Sequence, residues 1–288
     1  IDNRILNLVV HDRDLDGAQL AASFYRSLRL RAGGRKSTSL RGRVERTALL
    51  SWAAQAAGIN TPRLISANDV GEHASVLAFE HIPGRSFTEL TSLADAELAG
   101  AWKIVSDLLH ADIALSTITP SNFLLGDDGK VYIQGLDDGG IAASDVARRA
   151  HLAEALCTLA LLSDPARACQ AGLVVMGDQN LGKSLSALAP FALSFPTRKA
   201  VRGSKNLLKE LRELLEEQLP EVELQHIDIQ RVKPRTFVTF FAGTVAAYLL
   251  FNQLTQVDLA EIFRAADPVW MITGLARSEE HTSELQSH

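Results

Sequence analysis

The sequence predicts an α+β fold followed by a membrane-spanning helix. Three observations carry that expectation. Strand and helix signals alternate through the first third of the chain. Two apolar runs then flank the turn Gly126-Asp127-Asp128-Gly129. Finally, 19 consecutive residues at 236–254 carry no charge. The 288 residues hold 29 Lys and Arg against 34 Asp and Glu, a net charge of −5. That balance excludes a protein that lives on phosphate-backbone contacts, so nucleic acid is not an expected partner. An apolar share of 47% with 22% charged residues argues for a packed core rather than disorder. The two cysteines, Cys157 and Cys169, are too few for a disulfide framework and read as small buried side chains.

The elements follow in order. Ile5–Val10 reads as a buried strand, and Asp16–Leu30 as a helix with Leu20, Phe24 and Leu28 on one face. The stretch 31–39 (RAGGRKSTS) is a polar loop. Arg43–Ala57 is a second helix with Val44, Ala48, Leu49, Trp52 and Ala56 as its apolar stripe, closed by Gly58. Short strands follow at 63–66 and 75–80, then a turn at 81–84. Asp95 N-caps a helix reaching about His110. After an irregular stretch, 111–121, residues 122–134 form a β-hairpin. Helical patterns occupy 144–163, 165–175, 180–189 and 197–219, the last with Leu207, Leu208, Leu211, Leu214 and Leu215 along one side. Both ends look truncated. The final 12 residues, 277–288, read like a translated sequencing adapter and are treated as an artefactual tail.

Thr236–Leu254 (TFVTFFAGTVAAYLLFNQL) is read as a membrane span. As a helix it would extend roughly 28 Å, close to the roughly 30 Å of a hydrocarbon core. Phe237, Phe240, Phe241, Val245 and Tyr248 leave it no polar face. Arg231, Lys233 and Arg235 precede it and Asp258 and Glu261 follow, which places the N-terminal part in the cytoplasm. Pro268–Ala276 reads as the opening of a second span. The expected location is the cell membrane, with the bilayer and the chain's own membrane domain as partners.

Two phrases carry a family resemblance: the hinge-like Val76-Leu-Ala-Phe-Glu-His-Ile-Pro-Gly84, and Pro120-Ser121-Asn122 leading into the hairpin. From about Ile5 to Leu162 the chain resembles the protein-kinase-like fold shared with aminoglycoside phosphotransferases. The resemblance implies a cytoplasmic domain over 1–230, with a small N-terminal lobe at about 1–82 and a mostly helical lobe at about 83–230. Residues 231–276 would then hold the first transmembrane helix and the start of a membrane domain. Such a domain ahead of a membrane span is similar to bacterial integral membrane proteins of the lysylphosphatidylglycerol synthase/flippase-like family. That similarity implies a link to lipid or glycolipid handling. The kinase-like resemblance implies ATP and Mg as candidate cofactors, with Glu80, His81, Ile82 and Asn122 at the nucleotide site.

An active kinase needs a strand lysine, a helix glutamate, a catalytic-loop aspartate and a magnesium-binding aspartate. With Asn122 as the metal-binding asparagine, the catalytic position falls on Thr117 and the magnesium position on Gly135. The lysine position falls on Asn7 and the glutamate position on Thr47, with Glu45 nearby. A threonine cannot replace a carboxylate base, a role worth about 10²–10⁴ in rate. A glycine offers a cation no side-chain oxygen. The expectation is a catalytically impaired regulatory or sensing domain for a nucleotide or a lipid head group. Two alternatives stand beside it: an active atypical phosphotransferase that uses Asp112 or Asp137 (the latter also as a metal ligand), and a structural domain that binds no ligand.

Overall fold

The computed structural model describes residues 5–12, 40–70, 74–204 and 206–219, with Gly243 and Tyr248 singly. The chain divides into two compact units, Ile1–Ile229 and Gln230–His288. The expected helix at 16–30, the loop at 31–39, the start of a second span and the tail lie outside the described residues. So does the expected span at 236–254, apart from Gly243 and Tyr248, which are both helical. Among the described residues no helix is long and apolar enough to cross a membrane.

The first unit opens with a three-stranded antiparallel sheet. Strand β1 (Leu6–Asp12) leads to helix α1 (Leu40–Ala56), then β2 (Leu64–Val70) and β3 (Ala74–Glu80), in the sheet order β1-β3-β2. Asn7 lies opposite Phe79 and Val10 opposite Val76. The expected strand at 5–10 is present but not buried: Leu8 is 63% exposed and Val10 61%. β1 lies at one edge, so it has a neighbour on one side only among the described residues.

Helix α1 also departs from the expected stripe. Val44 and Ala48 pack with Leu64 and Leu77 of the sheet, while Leu50 and Ala54 join the main core of the unit. The helix is wedged between two layers, so its buried arc runs through 44, 47, 48, 50, 51 and 54. Leu49 (54% exposed) and Trp52 (58%) face outward. Its C-terminus closes as the sequence suggests. Gly58 adopts φ +74°, and the Ile59 N–H reaches back to the Ala54 carbonyl at 3.0 Å.

The rest of the unit is a mostly helical layer around short strands. Strand β4 (Gly84–Ser86) pairs with β6 (Phe123–Gly126), which pairs with β7 (Val131–Ile133). The expected hairpin is therefore present, and Gly129 at φ +78° closes its turn. Gly84 must remain a glycine, because a Cβ there would stand 2.2 Å from the Leu125 carbonyl oxygen across the ladder. Helix α2 (Asp95–His110) starts one residue earlier than expected. Ala94 is its N-cap, its N–H bonded to Glu97 at 2.8 Å, and Asp95 sits in the first turn beside Arg167. The stretch 111–121 is not all irregular. It contains β5 (Ile113–Leu115), which pairs with β8 (Gly139–Ile141).

Helices α3 (Asp145–Leu162), α4 (Pro165–Met176), α5 (Asp178–Gly182), α6 (Phe195–Gly203) and α7 (Leu207–Gln218) follow. In place of the single helix expected at 197–219, one helix ends at Gly203 and the next begins at Leu207. Leu207, Leu211 and Leu215 are buried as expected. The core runs from Phe87 and Phe123, stacked at 5.3 Å, through Trp102 to these leucines. Cys157 and Cys169 are free and buried, and burial pushes the Cys169 thiol up to about 12. Neither is a ready nucleophile at neutral pH.

Candidate functional site

The candidate site lies where the loop 116–122 meets the segment 134–138. The strand pair β5–β8 brings them together. Leu115 lies opposite Gly139, and beyond that pair the Ser116 N–H donates to the Asp138 carbonyl at 3.1 Å. The Thr117 hydroxyl then donates to Asp138 Oδ2 at 2.6 Å. At the other end of the loop, Asn122 is fully engaged. Its Oδ1 accepts from the Thr119 N–H at 2.8 Å and the Thr119 hydroxyl at 2.9 Å. Its Nδ2 donates to the carbonyls of Gln134 (3.1 Å) and Gly135 (3.3 Å). Asn122 thus ties the loop to the hairpin exit, as a cap would.

Gly135 adopts the left-handed conformation, φ 69° and ψ 51°. A side chain there would begin 3.0 Å from Asn122 Nδ2 and 3.8 Å from Asp137 Oδ1. The turn at 136–138 therefore curls the Asp137 carboxylate back toward the space that residue 135 leaves empty. These donors do not make a fitting magnesium site. Residue 135 has no oxygen side chain, and the one Asn122 oxygen already accepts two hydrogen bonds. Among the described residues no group of three His, Cys, Asp or Glu side chains could hold a metal.

The remaining sequence-predicted residues are dispersed. Asp112 stands before β5 and Thr117 after it, so a strand separates them, and Asp112 is ion-paired with Arg148 of α3. The structure does not bring Asp112 to Asn122. Asn7 Oδ1 lies 3.1 Å from His81 Nδ1, linking β1 to the hinge. Thr47 is buried, its hydroxyl donating to the Arg43 carbonyl one turn back at 3.0 Å, and Glu45 pairs with Arg41 at 2.8 Å on the exposed side. The Glu80 N–H donates to the Arg63 carbonyl at 2.8 Å, and its carboxylate is 3.6 Å from the Arg63 guanidinium. Ile82 is half-buried in the hinge.

Sequence reasoning missed the groups that fix the loop from below. They lie on α3. His151 Nδ1 accepts from the Leu115 N–H at 3.0 Å, and Glu154 Oε2 accepts from the Ile118 N–H at 3.5 Å. Thr158 donates to the Ile118 carbonyl at 2.6 Å. Glu154 also accepts from the Ser194 N–H, the Ser194 hydroxyl (2.9 Å) and the Thr197 hydroxyl (2.5 Å), which ties the start of α6 to the same loop. A signal was available. His151, Glu154 and Thr158 recur at helical spacing on an otherwise apolar helix face, where polar side chains need partners.

Burial lowers the His151 pKa to about 4, against the opposing pull of backbone groups of Val105 and Leu115. The ring is therefore neutral at pH 7, with its proton on Nε2 so that Nδ1 can accept. Nε2 is directed toward Val105 without closing a well-formed hydrogen bond. Unfolded histidine titrates near 6.5, so below that pH the unfolded chain binds the proton first. The native state should lose on the order of 3 kcal/mol as pH falls from 6.5 to 4. Urea melts of wild type and His151→Asn across this window check it. The Asn oxygen can stand in for Nδ1 but does not titrate, so the pH slope of the variant should be shallower.

No protein-family model matches the chain, and no curated protein matches it. Solved structures of WbdD, a bifunctional kinase-methyltransferase, are similar at low level. The medium-resolution structure aligns at 12% identity and TM-score 0.39, over 81% of this chain and 45% of that one. The complex with the kinase inhibitor LY294002 gives 13% and 0.39, over 81% and 46%. The high-resolution structure gives 13% and 0.36, over 71% and 43%. The chain thus spans less than half the length of the solved structures it matches, and at these scores the likeness fixes neither a family nor an activity.

Proposed function

We propose that the first unit is a kinase-like ligand-sensing domain without phosphotransfer activity, carried by a bacterial membrane protein with a role in lipid or glycolipid handling. One observation supports this most directly. The position expected to hold a base holds Thr117, whose hydroxyl already donates to Asp138. A neutral hydroxyl is far too weak a base to take the proton of an attacking hydroxyl at neutral pH. Gly135, in the left-handed conformation beside Asn122, removes the second carboxylate that such chemistry needs. The membrane assignment rests on the uncharged stretch at 236–254.

A second reading is favoured by the placement of Asp137, whose carboxylate points back toward residue 135. There it would act as a displaced catalytic group in an active, atypical phosphotransferase. Radiolabelled ATP with magnesium separates the two on the full chain in detergent. The sensing domain should show a nucleotide-dependent rise in Tm with no label released or transferred. Turnover that disappears in Asp137→Ala would overturn the first reading in favour of the second.

A further inference from the structure

The charge of this acidic chain is unevenly distributed. Residues 179–209 contain six Lys and Arg (Lys183, Arg198, Lys199, Arg202, Lys205 and Lys209) and no Asp or Glu, in a protein of net charge −5. Three of the six fall on α6. Its inner side is fixed: Ser194 caps it, Thr197 and Val201 are buried, and Ser194 and Thr197 are bonded to Glu154. Its outer side carries Phe195, Lys199 and Arg202, spaced i, i+4, i+7 and so on one face. Phe195 is 68% exposed, and Lys199 and Arg202 are exposed with no ion-pair partner among the described residues. A large apolar ring held in water beside unpaired cations fits an interface with anionic head groups above and acyl chains below.

We propose that the outer face of α6 seats on an anionic lipid bilayer, Phe195 entering the head-group boundary while Lys199 and Arg202 meet lipid phosphates. This rests on the membrane reading given above, since the chain runs from α7 toward Arg231, Lys233 and Arg235 and then the uncharged stretch. Two features favour lipid over nucleic acid as the polyanion. The overall charge is negative, and the exposed ring belongs in an apolar boundary.

Phe195→Cys in the full chain tests it. Both native cysteines are buried, so an environment-sensitive maleimide dye labels residue 195 selectively. The chain is reconstituted in vesicles of phosphatidylcholine alone or mixed with phosphatidylglycerol. With phosphatidylglycerol, dye emission should shift to the blue and fall several-fold when nitroxide lipids are present. Both effects should vanish in the K199E/R202E variant. The same dye on Val174→Cys, an exposed position on α4, should stay in a watery environment throughout. A chain that remains with vesicles through an alkaline wash while the residue 195 dye stays in water would overturn the α6 contact and leave the span standing. A chain that shows the dye shift with phosphatidylglycerol but washes off would support the contact and remove the span. Equal retention by a single-stranded DNA oligonucleotide would overturn lipid as the partner.

Discussion

Trp102→Ala should destabilise the first unit by about 3–5 kcal/mol, the range for removing a large aromatic side chain from a core. The residue is fully buried on α2, and its indole N–H donates to the Ala168 carbonyl of α4 at 3.0 Å. Truncation therefore removes packing and also takes the indole donor from the Ala168 carbonyl. The indole lies against Gly172: a Cβ there would come within 2.9 Å of Trp102 Cζ2. This makes the pair testable as a cycle. Gly172→Ala alone should cost about 1–3 kcal/mol by overpacking. In the Trp102→Ala background the same change should cost less, because the new methyl then meets only Leu181 Cδ2, at 3.0 Å. Urea melts of the four proteins measure the coupling. Additive losses would show that α2 and α4 do not meet through this contact.

Glu154→Gln is expected to cost roughly 3 kcal/mol or more, since hydrogen bonds to a buried charged acceptor are worth about 1.5–3 kcal/mol each. Its two oxygens accept from the Ile118 N–H, the Ser194 N–H and two hydroxyls, and an amide would turn a donor toward those donors. The loss should be local as well as global. Amide hydrogen exchange at Ile118 and Ser194 should accelerate before exchange in α2, because the loop 116–122 and the start of α6 both lose their common anchor. Uniform acceleration across the unit would mean that Glu154 serves general packing and does not position the loop.

Where local pattern decides structure, the sequence was legible. The hairpin at 122–134 follows from two apolar runs around a Gly-Asp-Asp-Gly turn, and the end of α1 from one glycine that can enter the left-handed region. The same holds for the α7 stripe, where burial follows a single helical face. Errors arose where two layers compete for one element. Helix α1 faces both the sheet and the main core, so its buried arc turned away from Leu49 and Trp52. The short strand β5 carries three apolar residues, too few for periodicity, and exists only because β8 lies beside it.

The candidate site divides along the same line. Residue types at spacings of five and thirteen from Asn122 identified Thr117 and Gly135 without any structure, because they sit on one continuous loop and hairpin. Their environment did not follow from spacing. The turn at 136–138 sends Asp138 to Thr117 and Asp137 toward residue 135, and the support of the loop by His151 and Glu154 joins positions more than 30 residues apart. By itself the sequence determined which residue types stand at these spacings, since identity at a position needs no partner. Only the tertiary structure decided which groups surround them, because a carboxylate acts through the few ångströms around it and the chain sets those distances only once it has folded.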